Sequence, residues 1–167
     1  MSNELNHFYG DTVHVLNDTL GSTLLSRLCS PDTRQPAINS LVATLYRQLV
    51  WDVVEKEMGR IVAEVPTRMI EFHPEAVWSG DIIDPNEKVV VVCIARAGIF
   101  PSQVCYDFLN GILNPERVRQ DHMLMNRITA DDGTVTGARI HGAKIGGSVD
   151  GATLFIPDPM GASGVTV

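Results

Sequence analysis

The sequence lacks any run approaching the roughly 18 uninterrupted apolar residues that a membrane-spanning helix needs, so no membrane partner is expected. It also lacks a basic start followed by an apolar stretch in "MSNELNHFYG", so no secretory signal is expected. Cysteine is scarce: Cys29, Cys93 and Cys105 show no CxxC or zinc spacing, and the expectation is three reduced, buried thiols in a cytoplasmic chain. Positive charge is in deficit, with 13 Lys and Arg against 20 Asp and Glu and a formal net charge of −7, which argues against non-specific nucleic-acid binding. Aromatics make up 6%, too few for a base-stacking array, and Trp51 and Trp78 read as core or interface. The 5 histidines have no metal spacing; His122, in an apolar stretch, reads as a packing residue, and Met123, Met125 and Met160 read as core filler. Neither GxxxxGK[ST] nor GxGxxG occurs, and no repeat or low-complexity tract is present.

What is there is an ordinary globular composition, 44% hydrophobic over 167 residues, enough for one domain with a core. Residues 1–18 are polar and irregular, and residues 19–167 read as a single domain. Leu20, Leu24, Leu25 and Leu28 recur at helical spacing up to the turn signal "CSPDTRQP". Thr33 is placed to cap a second helix, with Pro36 in its first turn, and apolar residues hold the 3.6-residue period from Ile38 to about Met58. Gly59 reads as a break or a close-packing point. "RIVAEVPTRMIEF" reads as strand material split by Pro66, and "WSGDIIDPNEK" as a loop. "VVVVCIA", Val89 to Ala95, is a β-branched run without alternation, the pattern of a strand buried on both faces. A turn and helix follow in "RAGIFPSQVCYDFLNGI", then a strand in "VRQDHMLMNRI", a hairpin signal at Asp132-Gly133, and a last strand in "ATLFI". The order predicts an α/β fold with a mostly parallel central sheet flanked by helices and a β-hairpin arm.

Ligands of open α/β sheets bind beyond the carboxyl ends of the strands, and two strand ends carry suitable residues. In "CIARAGIFP", Arg96 follows an apolar strand directly and Gly98 leaves room for close backbone approach before a helix. A guanidinium there can hold a phosphate or diphosphate; a surface arginine in a tight turn accounts for the segment equally well. In "IPDPMGASGVTV", Asp158 can accept hydrogen bonds from two adjacent sugar hydroxyls, and the small residues after it allow backbone N–H groups to wrap a phosphate. An acidic turn between Pro157 and Pro159 is the plainer alternative.

Together, "IARAGIF" and "IPDPMGASGVT", with "HMLMNRI" between them, resemble the type I phosphoribosyltransferases and most closely their uracil phosphoribosyltransferase branch. The likeness extends from about Val13 through the opening helices to the end of the chain. It implies transfer of ribose 5-phosphate from phosphoribosyl pyrophosphate to uracil, with Mg²⁺, giving UMP and pyrophosphate in a homodimer or higher oligomer. In its terms Arg96, Ala97 and Gly98 hold the pyrophosphate, and Asp158 grips the ribose hydroxyls. Gly161, Ala162, Ser163, Gly164, Val165 and Thr166 cradle the 5′-phosphate. Arg127 stands at the family's mobile hairpin arm and swings in over the pyrophosphate, while Lys144 marks the returning hairpin strand. No residue is assigned as a metal ligand.

The chain departs from the pattern in three places. Gly161 stands for a family leucine and Val165 for the second glycine of the phosphate loop, and "TADDGT" replaces the family's acidic arm. The family continues past the phosphate loop into its base-recognition region, so the expectation is a domain that is incomplete at its C-terminus. A non-catalytic relative that binds phosphoribosyl pyrophosphate, and a phosphoribosyltransferase for another base, therefore stay open beside the uracil reading.

Overall fold

The computed structural model describes residues 4–131 and 135–160. The chain divides into two compact units, Met1–Asp52 and Val53–Val167, and the long second helix runs through the boundary.

In the first unit, Glu4 bridges Leu16 in a short antiparallel turn-back, reinforced by a 3.0 Å contact between His14 and the Glu4 carboxylate. Asp18 then caps α1 (Thr19–Leu28), its carboxylate accepting from the Gly21 N–H. The other Asp18 oxygen accepts from the Gln48 amide at 2.7 Å, fixing α1 to α2 (Ala37–Glu57). Thr33 does not cap α2. Its hydroxyl donates instead to the Arg27 carbonyl at 2.6 Å, closing the end of α1, and the first turn of α2 is met by the Gln35 side chain at the Asn39 N–H.

The second unit contains two sheets. β1 (Arg60–Pro66) and β2 (Val77–Ile83) form an antiparallel ribbon. The sequence of β2 favours a loop, because Ser79, Gly80 and Asp81 are poor strand formers. The strand forms through pairing with β1, and the Trp78 ring covers Gly80, where an added Cβ would lie 2.9 Å from the ring. Pro66 ends β1 rather than interrupting a longer strand. Gly59 is a close-packing point, since its N–H donates to the Glu87 carboxylate and a Cβ would lie 2.6 Å from that oxygen.

The larger sheet has the order β5-β4-β3-β6, from β3 (Val89–Ala95), β4 (Val118–Thr129), β5 (Val135–Lys144) and β6 (Thr153–Phe155). β3 pairs in parallel with β4 on one side and β6 on the other; β5 is antiparallel to β4. The sheet is therefore mostly parallel, as the β-branched run predicts, and Val89 to Cys93 are buried throughout. α3 (Ile99–Asn110) packs on β3 and β4 through Val104, Cys105 and Leu109. Burial pushes the Cys105 thiol up to about 12, so it is a packing group and not a nucleophile. Cys29, expected to be buried, is exposed, and His122 points to solvent rather than into the core.

A polar lock holds the loop from β5 to β6. Asp121 on β4, only 2% exposed, accepts from Arg119 through both oxygens at 2.9 Å and from the Gly146 N–H at 2.9 Å. Arg119 also donates to the Gly147 and Ser148 carbonyls. Burial alone raises the Asp121 carboxyl, but the hydrogen bonds from Arg119 and Gly146 and the guanidinium charge outweigh it, and the net shift is downward. Its stabilisation is thus present in full above the ordinary value of 3.8 and is lost as pH falls through the lowered native value. Replacing Arg119 by Met leaves a buried, unpaired carboxylate and is expected to cost about 3 kcal/mol at neutral pH. Urea unfolding should show that gap narrowing in acid; a loss that is the same at all pH values would contradict the role given to the pair.

Candidate functional site

The strand order puts a crevice where the chain changes direction across the sheet. From β3 the chain passes through α3 to β4 and β5 on one side, then returns to β6 on the other side of β3. Ligands of open α/β sheets bind at such a switch point, beyond the carboxyl ends of the strands. A cleft of about 990 Å³ lies there, lined by Ile94 to Gly98 after β3, Pro157, Asp158 and Met160 after β6, and Leu124 to Asn126 on β4 with Ala138.

The floor of the cleft is set by a residue without a side chain. A Cβ at Gly98 would lie 2.7 Å from the Ile94 carbonyl oxygen, 3.0 Å from the Ile94 nitrogen and 3.1 Å from the Pro157 carbonyl oxygen. The turn closes on itself through Gly98 N–H to Ile94 at 2.9 Å and Ile99 N–H to Arg96 at 3.1 Å. The Ala95–Arg96 peptide within it is cis. Gly98 is also the N-cap of α3 and offers no side-chain cap; its own N–H and that of Ile99 are taken within the turn, and Pro101 has none.

Arg96 is exposed, and its guanidinium makes no hydrogen bond or ion pair among the described residues. Asp158 is half-buried; one of its oxygens accepts from the Met160 N–H at 3.0 Å, which fixes the carboxylate over its own turn and leaves the other oxygen available. The structure therefore brings Arg96, Ala97, Gly98 and Asp158 to one cleft. Met160, which reads as core filler in the sequence, is 68% exposed and forms part of the cleft rim. Arg127 lies in the part of β4 that extends past the end of β3, paired opposite Ala138. Gly161, Ala162, Ser163, Gly164, Val165 and Thr166 lie outside the described residues, as does the Asp132-Gly133 hairpin signal.

Sequence reasoning misses Asn126. The sequence holds no signal for it, because its place two residues past the point where β4 leaves β3, next to the crevice, shows only in the strand register. Among the described residues, no three Asp, Glu, His or Cys groups cluster as metal ligands, and no helix is long and apolar enough to cross a membrane.

No family model and no curated protein sequence matches the chain. Its fold is similar to that of the AQ2163 protein from Aquifex aeolicus, with a TM-score of 0.66 and 18% identity, over 90% of this chain and 64% of that one. The chain thus spans just under two thirds of that protein's length, and at this identity the likeness carries the fold alone.

Replacing Gly98 by Ala must push the Ile94 or Pro157 backbone aside. The variant should be destabilised by roughly 1–3 kcal/mol in urea unfolding; wild-type stability would contradict the close approach that defines the cleft.

Proposed function

We propose that the cleft binds phosphoribosyl pyrophosphate and that the chain acts as a uracil phosphoribosyltransferase, a cytoplasmic enzyme of pyrimidine salvage. One observation carries the reading: the bare Gly98 lets the Arg96 turn close on the Pro157 backbone, so that an unpaired guanidinium and a half-buried carboxylate share one cleft at the switch point. That pairing suits a ligand with a strongly anionic end and a vicinal diol.

In the reaction, the C1–O bond of the phosphoribosyl group breaks and its electron pair leaves with pyrophosphate, while a ring nitrogen of uracil bonds to C1 and loses its proton. Arg96, with the Ala97 N–H beside it, stabilises the charge that builds on the pyrophosphate. Asp158 accepts from the ribose hydroxyls and favours the positive charge developing on the ring. The hairpin arm carrying Arg127 excludes water, which would otherwise capture the same centre. Mg²⁺ arriving with the substrate would offset diphosphate charge beside Arg96.

Val165, in place of a family glycine, favours a second reading in which the chain binds phosphoribosyl pyrophosphate without turning it over. Release of pyrophosphate on mixing with Mg²⁺, phosphoribosyl pyrophosphate and a base separates the two. Uracil-dependent release, lowered by at least about 100-fold in Asp158→Asn, is expected. No release supports the binding-only reading, and release with a purine or orotate but not uracil changes the base.

The same reading makes the chain a homodimer or higher homo-oligomer, and the β1–β2 ribbon supports it. A two-stranded ribbon is marginal alone in water, and this one exposes Val62 at 73%, Trp78 at 46% and, in its connecting turn, Phe72 at 74%. Sedimentation equilibrium should give a dimer or larger species that Val62→Glu shifts toward monomer; a monomeric wild-type chain would contradict this.

A further inference from the structure

The cleft has one polar wall to which the phosphoribosyl reading gives no task. β4 continues past its last pairing with β3, Ala95 opposite Leu124, and from there, among the described residues, pairs with β5 alone. Asn126 lies in that extension, two residues beyond Leu124, and lines the same cleft as the Arg96–Gly98 turn that follows β3. Asparagine is depleted in strands, yet here it sits within one, exposed and lining the cleft, its amide without a hydrogen-bond partner among the described residues. Just before it the ladder slips at Leu124/Met125, where β5 carries His141 as an extra residue. Such bulges re-aim side chains beside functional sites. The slip sets Arg139 opposite Asn126, on the same face of the ribbon, exposed and in no ion pair among the described residues.

The three strands thus present a graded series across the cleft. Asp158 beyond β6 is an acceptor, Arg96 beyond β3 a cationic donor, and Asn126 on β4 a neutral donor with Arg139 beside it. A ligand with hydroxyls at one end and a diphosphate at the other lies with its diphosphate toward β4, because the reverse orientation sets phosphate against the Asp158 carboxylate. We propose that the Asn126 side-chain amide donates a hydrogen bond to the diphosphate and is a substrate-contacting residue of this site. The inference rests on the phosphoribosyl reading and adds to it a residue and a direction for the ligand.

Calorimetric titration of the full chain in Mg²⁺ with two probes, inorganic pyrophosphate and ribose 5-phosphate, tests it in the wild type, Asn126→Ala and Asn126→Asp. Thermal melts check that all three are folded. Loss of one hydrogen bond to a charged group should weaken pyrophosphate binding about tenfold in Asn126→Ala. The loss should be larger in Asn126→Asp, which sets a carboxylate against phosphate in nearly the same shape, while ribose 5-phosphate affinity stays the same. Unchanged pyrophosphate affinity in both variants, or equal losses for both probes, overturns the role of Asn126 alone. Failure of the folded wild-type chain to bind either probe overturns the phosphoribosyl reading, and this role with it.

Discussion

A methyl group on residue 98 would sit 2.7 Å from one backbone carbonyl and 3.1 Å from another, and the candidate site depends on its absence. Those two carbonyls belong to Ile94, near the end of β3, and Pro157, just past β6. Without a side chain between them, the turn after β3 folds down onto the segment after β6, and α3 starts directly behind it. The distance from Arg96 to Asp158 is thereby governed by packed backbone, not by two independent loops. Sites held in this way keep their geometry because the supporting groups have no freedom to relax.

The rest of the second unit supports that contact from below and from the side. Val89 to Cys93, buried between β4 and β6, fix the height at which β3 ends. The Asp121–Arg119 pair secures the loop leading into β6, so that the short three-residue strand arrives in register beside β3. On the other flank β4 outruns β3 and carries its hairpin partner past the cleft. The Gly98 contact is therefore supported by three different devices: a buried apolar strand, an ion pair with a buried carboxylate and a bulged ribbon.

Much of this is legible in the sequence where the signal is local. The β-branched run Val89–Ala95 forms a strand with those bounds, because no other residues in the chain make so long an unbroken apolar stretch suited to burial on both faces. The Arg96 and Asp158 segments stand out because each strand end runs straight into glycine and small residues, which permit a close approach of backbone. β2 is not legible: Ser79, Gly80 and Asp81 argue against a strand locally, and only pairing with β1 and the cover of Trp78 make it one. Thr33 fails as a cap since a hydroxyl takes whichever backbone partner the turn presents, and here that is Arg27. His122 and Met160 look like packing groups in the sequence because exposure along a twisted strand or at a cleft rim leaves no mark on composition. Asn126 is hidden for a related reason. Its position matters only once the register of β4 against β3 is known.

The central claim is that Arg96 and Asp158 act on one ligand, phosphoribosyl pyrophosphate, across the Gly98 contact. Calorimetric titration with Mg²⁺-phosphoribosyl pyrophosphate, comparing wild type with Arg96→Ala and Asp158→Asn, tests it most directly. The account predicts saturable, metal-dependent binding by the wild type and a loss of roughly tenfold or more in each variant. A folded wild-type chain that does not bind, or binding that neither substitution weakens, would contradict it.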